Sequence, residues 1–310
     1  MSNRKLSSKS TRHTKEVDEW SIRELCKFLE SRNIRYEDLK IIINEEIRRG
    51  KIPFTGEISL LVDHSNLLEQ GKEIVKRYEN VVEKPNLYVD YEQLRKTIIK
   101  GRKSGGSAEI FCSQHSQKQY DKRLDRLWNK RRDQGFVVNL IKQNPNSTRE
   151  KKVDTTLVMH GMKILKERDP GILVIVAGDS DYVPLVEHAL EKGWKVEIWF
   201  WSSGLSREYK PEFSKFGKNY SLHFLDEKYK KFTYARGPES PREFTFKIKH
   251  ECVEILEEEP LLQLFVKWDV FGWWHWINND HLLVYVNTEK QKEELARLFK
   301  LIEEYKNLNS

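Results

Sequence analysis

Four aspartates stand where apolar runs end or where a helical pattern begins. Asp63 closes ISLLVD, Asp179 and Asp181 close ILVIVAGDSD, and Asp154 opens VDTTLVMHGMKILKER. If the apolar runs are strands of a parallel sheet, these acids lie outside the strands' carboxyl ends, where open α/β sheets bind ligands. Carboxylates gathered there repel one another and call for a counter-cation. Oxygen donors without Cys or His suit Mg²⁺ or Mn²⁺ better than zinc. Each acid also has a simpler reading. Asp181 or Ser180 can cap the helix that Pro184 begins, Asp154 suits the positive end of its own helix, and Asp63 can close a turn with Ser65 and Asn66. Both readings stay open residue by residue. What favours a shared site is that all four fall on one sheet edge.

The elements that would position them follow an alternating pattern. EISLLVD, SAEIFCS, FVVNLIK, GILVIVA and WKVEIWFW read as strands, with SLHFLDE a short last one. Between them YEQLRKTIIKG, YDKRLDRLWNKRRDQG, VDTTLVMHGMKILKER and DYVPLVEHALEKG carry helical spacing. Near-continuous apolar strands such as Leu173–Ala177 imply burial on both faces. The pattern predicts a doubly wound, mostly parallel α/β domain over residues 57–235. Before it, a basic tail at 1–16 is expected to be disordered, and WSIRELCKFLESRNI and YEDLKIIINEEIRRG predict two amphipathic helices within 17–50. After ARGPESP at 235–241, residues 241–310 predict a small Trp-rich α+β unit. There REFTFKIKHECVEIL, LLQLFVKWDVFGWWHWI and HLLVYV suggest short strands, and a helix runs from about Glu289 to Tyr305. Trp268, Phe271, Trp273, Trp274 and Trp276 would form its core; exposed, they would offer a platform for stacking bases.

Composition removes several classes of function. The 310 residues carry 55 Lys+Arg against 48 Asp+Glu, a formal charge of +7. No apolar run approaches the ~18 residues of a membrane span, and the basic N-terminus lacks the apolar core of a secretory signal. Cys26, Cys112 and Cys252 are few and far apart, which excludes a disulfide scaffold and fits a reducing compartment. These features point to an intracellular protein and favour the cytoplasm over the nucleus. There is no GxGxxG after the first strand and no GxxxxGK[ST], so a nucleotide cofactor has no support. The positive charge is concentrated: residues 118–152 hold eleven basic residues and four acids. That suits a polyanionic partner, although a solvated helix face reads the same way. Arg123, Arg126, Lys130 and Arg131 can share one helix face, and Lys151 and Lys152 stand immediately before Asp154. All six are candidates for contacts to the phosphates of such a partner's backbone, which position without specifying sequence.

The order of motifs resembles the NYN branch of the PIN-like nucleases. D-x-S-N at 63–66, K-x-V-D at 151–154, and G-D-S-D-Y-x-P-L followed by G-x-x-V over 178–196 carry the resemblance, which spans roughly 57–235. It implies a Mg²⁺- or Mn²⁺-dependent endoribonuclease, with Asp63, Asp154 and Asp179 as metal ligands. Asp181 matches the second acid of the GDSD motif and Asn66 the asparagine that supports the first ligand. The implied chemistry is in-line attack of metal-activated water on an RNA phosphodiester. One position departs from the pattern: relatives often carry an aspartate six residues after the K-x-V-D acid, and here it is His160. On a straight helix, six residues put His160 about 120° from the face of Asp154, so its loss need not empty the primary site. The alternative is a catalytically degraded NYN protein that binds RNA or acts as a scaffold. The N-terminal helices and the C-terminal unit are candidate contacts for protein partners.

Overall fold

The computed structural model describes residues 56–102, 105–114, 122–142, 151–212, 215–249, 258–278 and 281–309. The tail and helices expected within 1–50 lie outside them. The first strand, β1 (Ile58–Asp63), is buried along its whole length and runs directly into α1 (His64–Tyr78). The Asp63 side chain accepts from the Asn66 N–H and caps α1. After β2 (Leu87–Val89), Asp90 caps α2 (Tyr91–Ile99) in the same way. Then follow β3 (Ala108–Gln114), α3 (Lys122–Asp133), β4 (Val137–Lys142), α4 (Lys151–Glu167) and β5 (Ile172–Val176). A single 3₁₀ turn, Ser180–Tyr182, leads into α5 (Val183–Glu191), and β6 (Lys195–Phe200) and β7 (Tyr220–Phe224) complete the first sheet.

That sheet has the order β4-β3-β1-β5-β6-β7, and every pairing is parallel. The doubly wound parallel expectation is therefore met. Successive crossovers pass outward from β1 through β3 to β4, then from β5 through β6 to β7. The winding reverses between β1 and β5, and the crevice at such a reversal is the usual ligand site. Ile172–Val176 are at most 5% exposed, as strands covered by helices on both faces must be. Helix α4 comes close to α5 because Gly161 has no side chain; a Cβ there would stand 2.6 Å from Leu185.

A second sheet has the order β2-β8-β10-β11-β9. The short helix α6 (Tyr229–Phe232) precedes β8 (Thr233–Arg236); β9 (Phe244–Lys249), α7 (Glu258–Lys267), β10 (Gly272–Asn278), β11 (His281–Val286) and α8 (Glu289–Asn309) follow. Two expectations change here. The division at 235–241 cuts through a sheet, because β2 and β8 come from the earlier segment and pair with each other while β8 also pairs with β10. The strand expected around LLQLFVK is α7: Leu261, Leu262 and Phe265 are buried at helical spacing and pack with α8 residues Leu295 and Phe299. Trp273 and Trp274 are core, 2% and 1% exposed, and as neighbours on a strand they serve opposite faces. Among the described residues no helix is long and apolar enough to cross a membrane.

Candidate functional site

Asp63 ends β1 and is 4% exposed. Its Oδ1 accepts from the Asn66 N–H at 3.0 Å, and its Oδ2 accepts from the Tyr182 hydroxyl at 2.7 Å. Asp154, half-buried in the first turn of α4, has its Oδ1 2.8 Å from the same hydroxyl. A phenol carries one hydrogen and cannot donate to both carboxylates at once. The two carboxylate oxygens are at most 5.5 Å apart, the combined length of the two contacts. Two acids from β1 and α4, neighbours in space and distant in sequence, thus converge on one neutral group. Tyr182 is fully buried; burial first, then the two carboxylates, push its phenol far above the usual range, so it stays a hydroxyl.

Asp179 follows β5 and is exposed. Its side chain accepts from the Asp181 N–H at 3.1 Å and caps the 3₁₀ turn; Asp181 itself is exposed. Asp63 and Asp179 both act as caps, where the sequence offered Asp63 a turn and gave a cap to Asp181 or Ser180; α5 itself begins after Tyr182 without a side-chain cap. Asn66 joins the two strand ends, its Oδ1 accepting from the Gly178 N–H at 2.9 Å. Gly178 is required by its surroundings, since a Cβ would stand 2.2 Å from the Phe200 ring and 2.7 Å from the Gly204 carbonyl. The loop after β6 holds the same turn from outside. Ser206 N–H donates to Gly178 O at 2.8 Å, and the buried Tyr209 hydroxyl donates to Asp179 O at 2.7 Å. Tyr182 and Tyr209 were not singled out in the sequence. The signal for Tyr182 lay in the GDSDY motif; nothing in the sequence marked Tyr209.

The structure unites Asp63 and Asp154 and places Asp179 and Asp181 at the same sheet edge. Among the described residues no three His, Cys, Asp or Glu side chains converge as a ready metal site. The donor chemistry nevertheless fits a hard divalent ion. All the candidate donors are carboxylate oxygens, and His64, next to Asp63 in the chain, faces other partners. The Tyr91 hydroxyl is hydrogen-bonded to His64 Nδ1, and Trp128 meets the imidazole edge-on at 5.3 Å. Burial, helped by Lys72, lowers His64 to about 4, so the ring is neutral.

His160 takes a partner of its own. Its Nδ1 donates to Glu109 Oε2 at 2.7 Å, the Phe111 ring meets it edge-on, and Asn139 donates to the same Glu109 oxygen at 3.1 Å. An aspartate at 160 would instead face the buried Glu109 carboxylate. Of the six basic candidates, Arg126 and Lys152 are exposed and Lys130 is half-buried. Arg123 and Lys151 sit on α3 and α4, with side chains outside the described residues. Arg131 is a correction. It is 3% exposed, donates to Val89 O at 3.3 Å and Gln134 Oε1 at 2.9 Å, and lies 5.7 Å from the Tyr91 ring centre. On α3, the residue five after Arg126 turns inward toward Val89 and Tyr91 while Lys130 is half-buried. A cavity of about 680 Å³ lies away from the acids, between residues 80–86 and 236–241.

A sequence model of the NYN domain matches residues 57–217. No curated protein matches the chain. Among solved structures, the chain is similar to a protein of unknown function from Vibrio parahaemolyticus, at 18% identity and a TM-score of 0.41, over 56% of this chain and 95% of that one.

Proposed function

Since the chain belongs to the NYN family, a branch of the PIN-like nucleases, we propose that it is a metal-dependent endoribonuclease acting at the β1–β5 crevice. The observation that carries the reading is the convergence of Asp63 and Asp154, two buried or half-buried acids, on a single neutral hydroxyl. Tyr182 bridges the two carboxylates through one hydroxyl. With Asp179, these acids would hold Mg²⁺ or Mn²⁺, which in such sites supplies an activated water and neutralises charge on the phosphoryl oxygens.

The chain's own residues then divide the work. Asn66 ties the end of β1 to Gly178 and so sets the depth of Asp63 against Asp179. Tyr182 is a positioning residue, orienting Asp63 and Asp154 toward a common point. Asp181, exposed beside Asp179, faces the solvent side of the turn, where a substrate strand would arrive. Lys152, with Arg126, Lys130, Arg123 and Lys151, would hold RNA phosphates over the acids without reading sequence.

A second reading, an RNA-binding protein without catalysis, is favoured by two observations: Asp179 is engaged as a cap and His160 by Glu109. Cleavage of an end-labelled single-stranded RNA with Mn²⁺, Mg²⁺ or EDTA, beside Asp179→Asn, separates the two. Metal-dependent cleavage lost in the variant supports the enzyme. Salt-sensitive binding with no cleavage under any condition supports the binder.

A further inference from the structure

Among the described residues, helices α7 and α8 cover one face of β9, β10 and β11, while α1 packs on β2 at the far end of the sheet. Ile248, Trp274, Leu282, Val284 and Val286 point into the cluster shared with α7 and α8. By the two-residue period of strands, Lys247, Lys249, His275, Ile277 and His281 fall on the other face. The register aligns them in rows: Lys247 opposite Leu283, which is opposite His275, and Lys249 opposite His281. At one end this face is closed, because Trp273 and Tyr285 are buried and donate to Gly237 O and Pro238 O. Beyond that point it opens. Lys247 and Lys249 are exposed, Ile277 is 48% exposed, and His275 and His281 are half-buried.

We propose that this open face of β9, β10 and β11 is a second binding surface, for a single strand of RNA; the proposal rests on the RNA substrate argued above. The charge carries the argument: the three strands FTFKIK, GWWHWIN and HLLVYV contain two lysines and two histidines and no acidic residue. The lysines would meet phosphates, while the two imidazoles and Ile277 offer flat and apolar contacts for unpaired bases. Lysines on an edge strand such as β9 can also serve only to prevent sheet pairing. That alternative gives no role to the histidines, which lie on β10 and β11. The large rings do not supply the platform, as the tryptophans that suggested stacking in the sequence are core or packed against it.

The test is fluorescence anisotropy of a labelled single-stranded RNA with the full chain in EDTA, over a range of salt. Neutralising the pair, Lys247→Gln with Lys249→Gln, should weaken binding several-fold and lower the slope of log affinity against log salt by about 1.4, or about 0.7 per lost phosphate contact. The double arginine variant should retain both, which guards against a folding defect. His275→Ala with His281→Ala should weaken binding about 5-fold and leave the salt slope unchanged. Cleavage of a short RNA, long enough only for the acid edge, should be unaffected by either pair. Wild-type binding with no change in the glutamine variant would overturn the second surface and leave the RNA reading standing. A wild-type chain that binds no RNA would overturn both. A glutamine variant that changes oligomeric state but not RNA affinity would mark the face as a protein contact and reject the proposal.

Discussion

Helix α4 brings two polar residues, six positions apart, against carboxylates of the first sheet, and the two clusters are built differently. At Asp154 the partner is Asp63, and a neutral tyrosine hydroxyl lies between two acids. At His160 the partner is Glu109, a donor meets an acceptor, and Asn139 adds a second donor. At Glu109 two donors meet one carboxylate oxygen. At Asp63 and Asp154 two carboxylates share one hydroxyl, and carboxylates brought that close favour a bound cation or a proton. The difference separates a site from a structural contact better than the mere presence of acids does.

The comparison breaks most visibly at its charged end. Asp63→Asn or Asp154→Asn should reduce metal-dependent RNA cleavage by more than the ~10–100-fold typical of losing an outer-shell partner. In EDTA the melting temperature of Asp154→Asn should hold or rise, because one of two repelling charges is gone. A fall in cleavage together with a fall in metal-free stability would mean that Asp154 is held for structure instead.

Tyr182→Phe should be next in size. Removing the shared donor leaves two acids facing a ring edge, at a cost of about 1–3 kcal/mol in EDTA. Added Mn²⁺ should recover more stability in this variant than in the wild type, read by thermal melting. Equal losses with and without metal would make the tyrosine a packing residue only.

His64 gives the pH arm. Burial holds its folded-state value near 4, below the ordinary 6.5, so the unfolded chain binds the extra proton first. Its contribution to stability is therefore full above about pH 6.5 and is lost as pH falls toward 4. Urea midpoints measured from pH 7 to pH 4 should drop less steeply in His64→Gln than in the wild type. The magnitude should be of order 1–2 kcal/mol, since the side chain is partly accessible.

The smallest effect should come from the balanced cluster. His160→Asp puts a second carboxylate beside Glu109 and should cost about 1 kcal/mol near neutral pH, less in mild acid. Glu109→Gln in the same background should restore it. Cleavage should change little in either variant. A large loss of activity in His160→Gln would link the two clusters functionally and undo the contrast.

Much of the fold was legible in the residues. The fully buried runs ISLLVD and ILVIV announced strands covered on both sides, and the expected helix start at Pro184 was found; the helix His64–Tyr78 stands where the sequence suggested a turn after Asp63. Two misreadings have local causes. LLQLFVK is apolar enough for a strand, and only its packing against α8 shows the helical face. Arg131 looked like one more charge on a basic helix, yet its position puts the guanidinium over Tyr91 with its nitrogens on Val89 and Gln134.

By itself, the sequence determined the alternation of strands and helices, the family motifs and the presence of acids at strand ends. These are encoded within a few residues by side-chain period and capping chemistry. Only the tertiary structure decided which acids meet. Tyr182 lies 119 residues from Asp63 and 28 from Asp154, and no local pattern reports that one hydroxyl serves both. It also decided that β2 and β8 complete the sheet of the C-terminal strands, whose edge strand β9 exposes Lys247 and Lys249. Such pairings are long-range contacts, set by how the helices and sheets pack once they have formed.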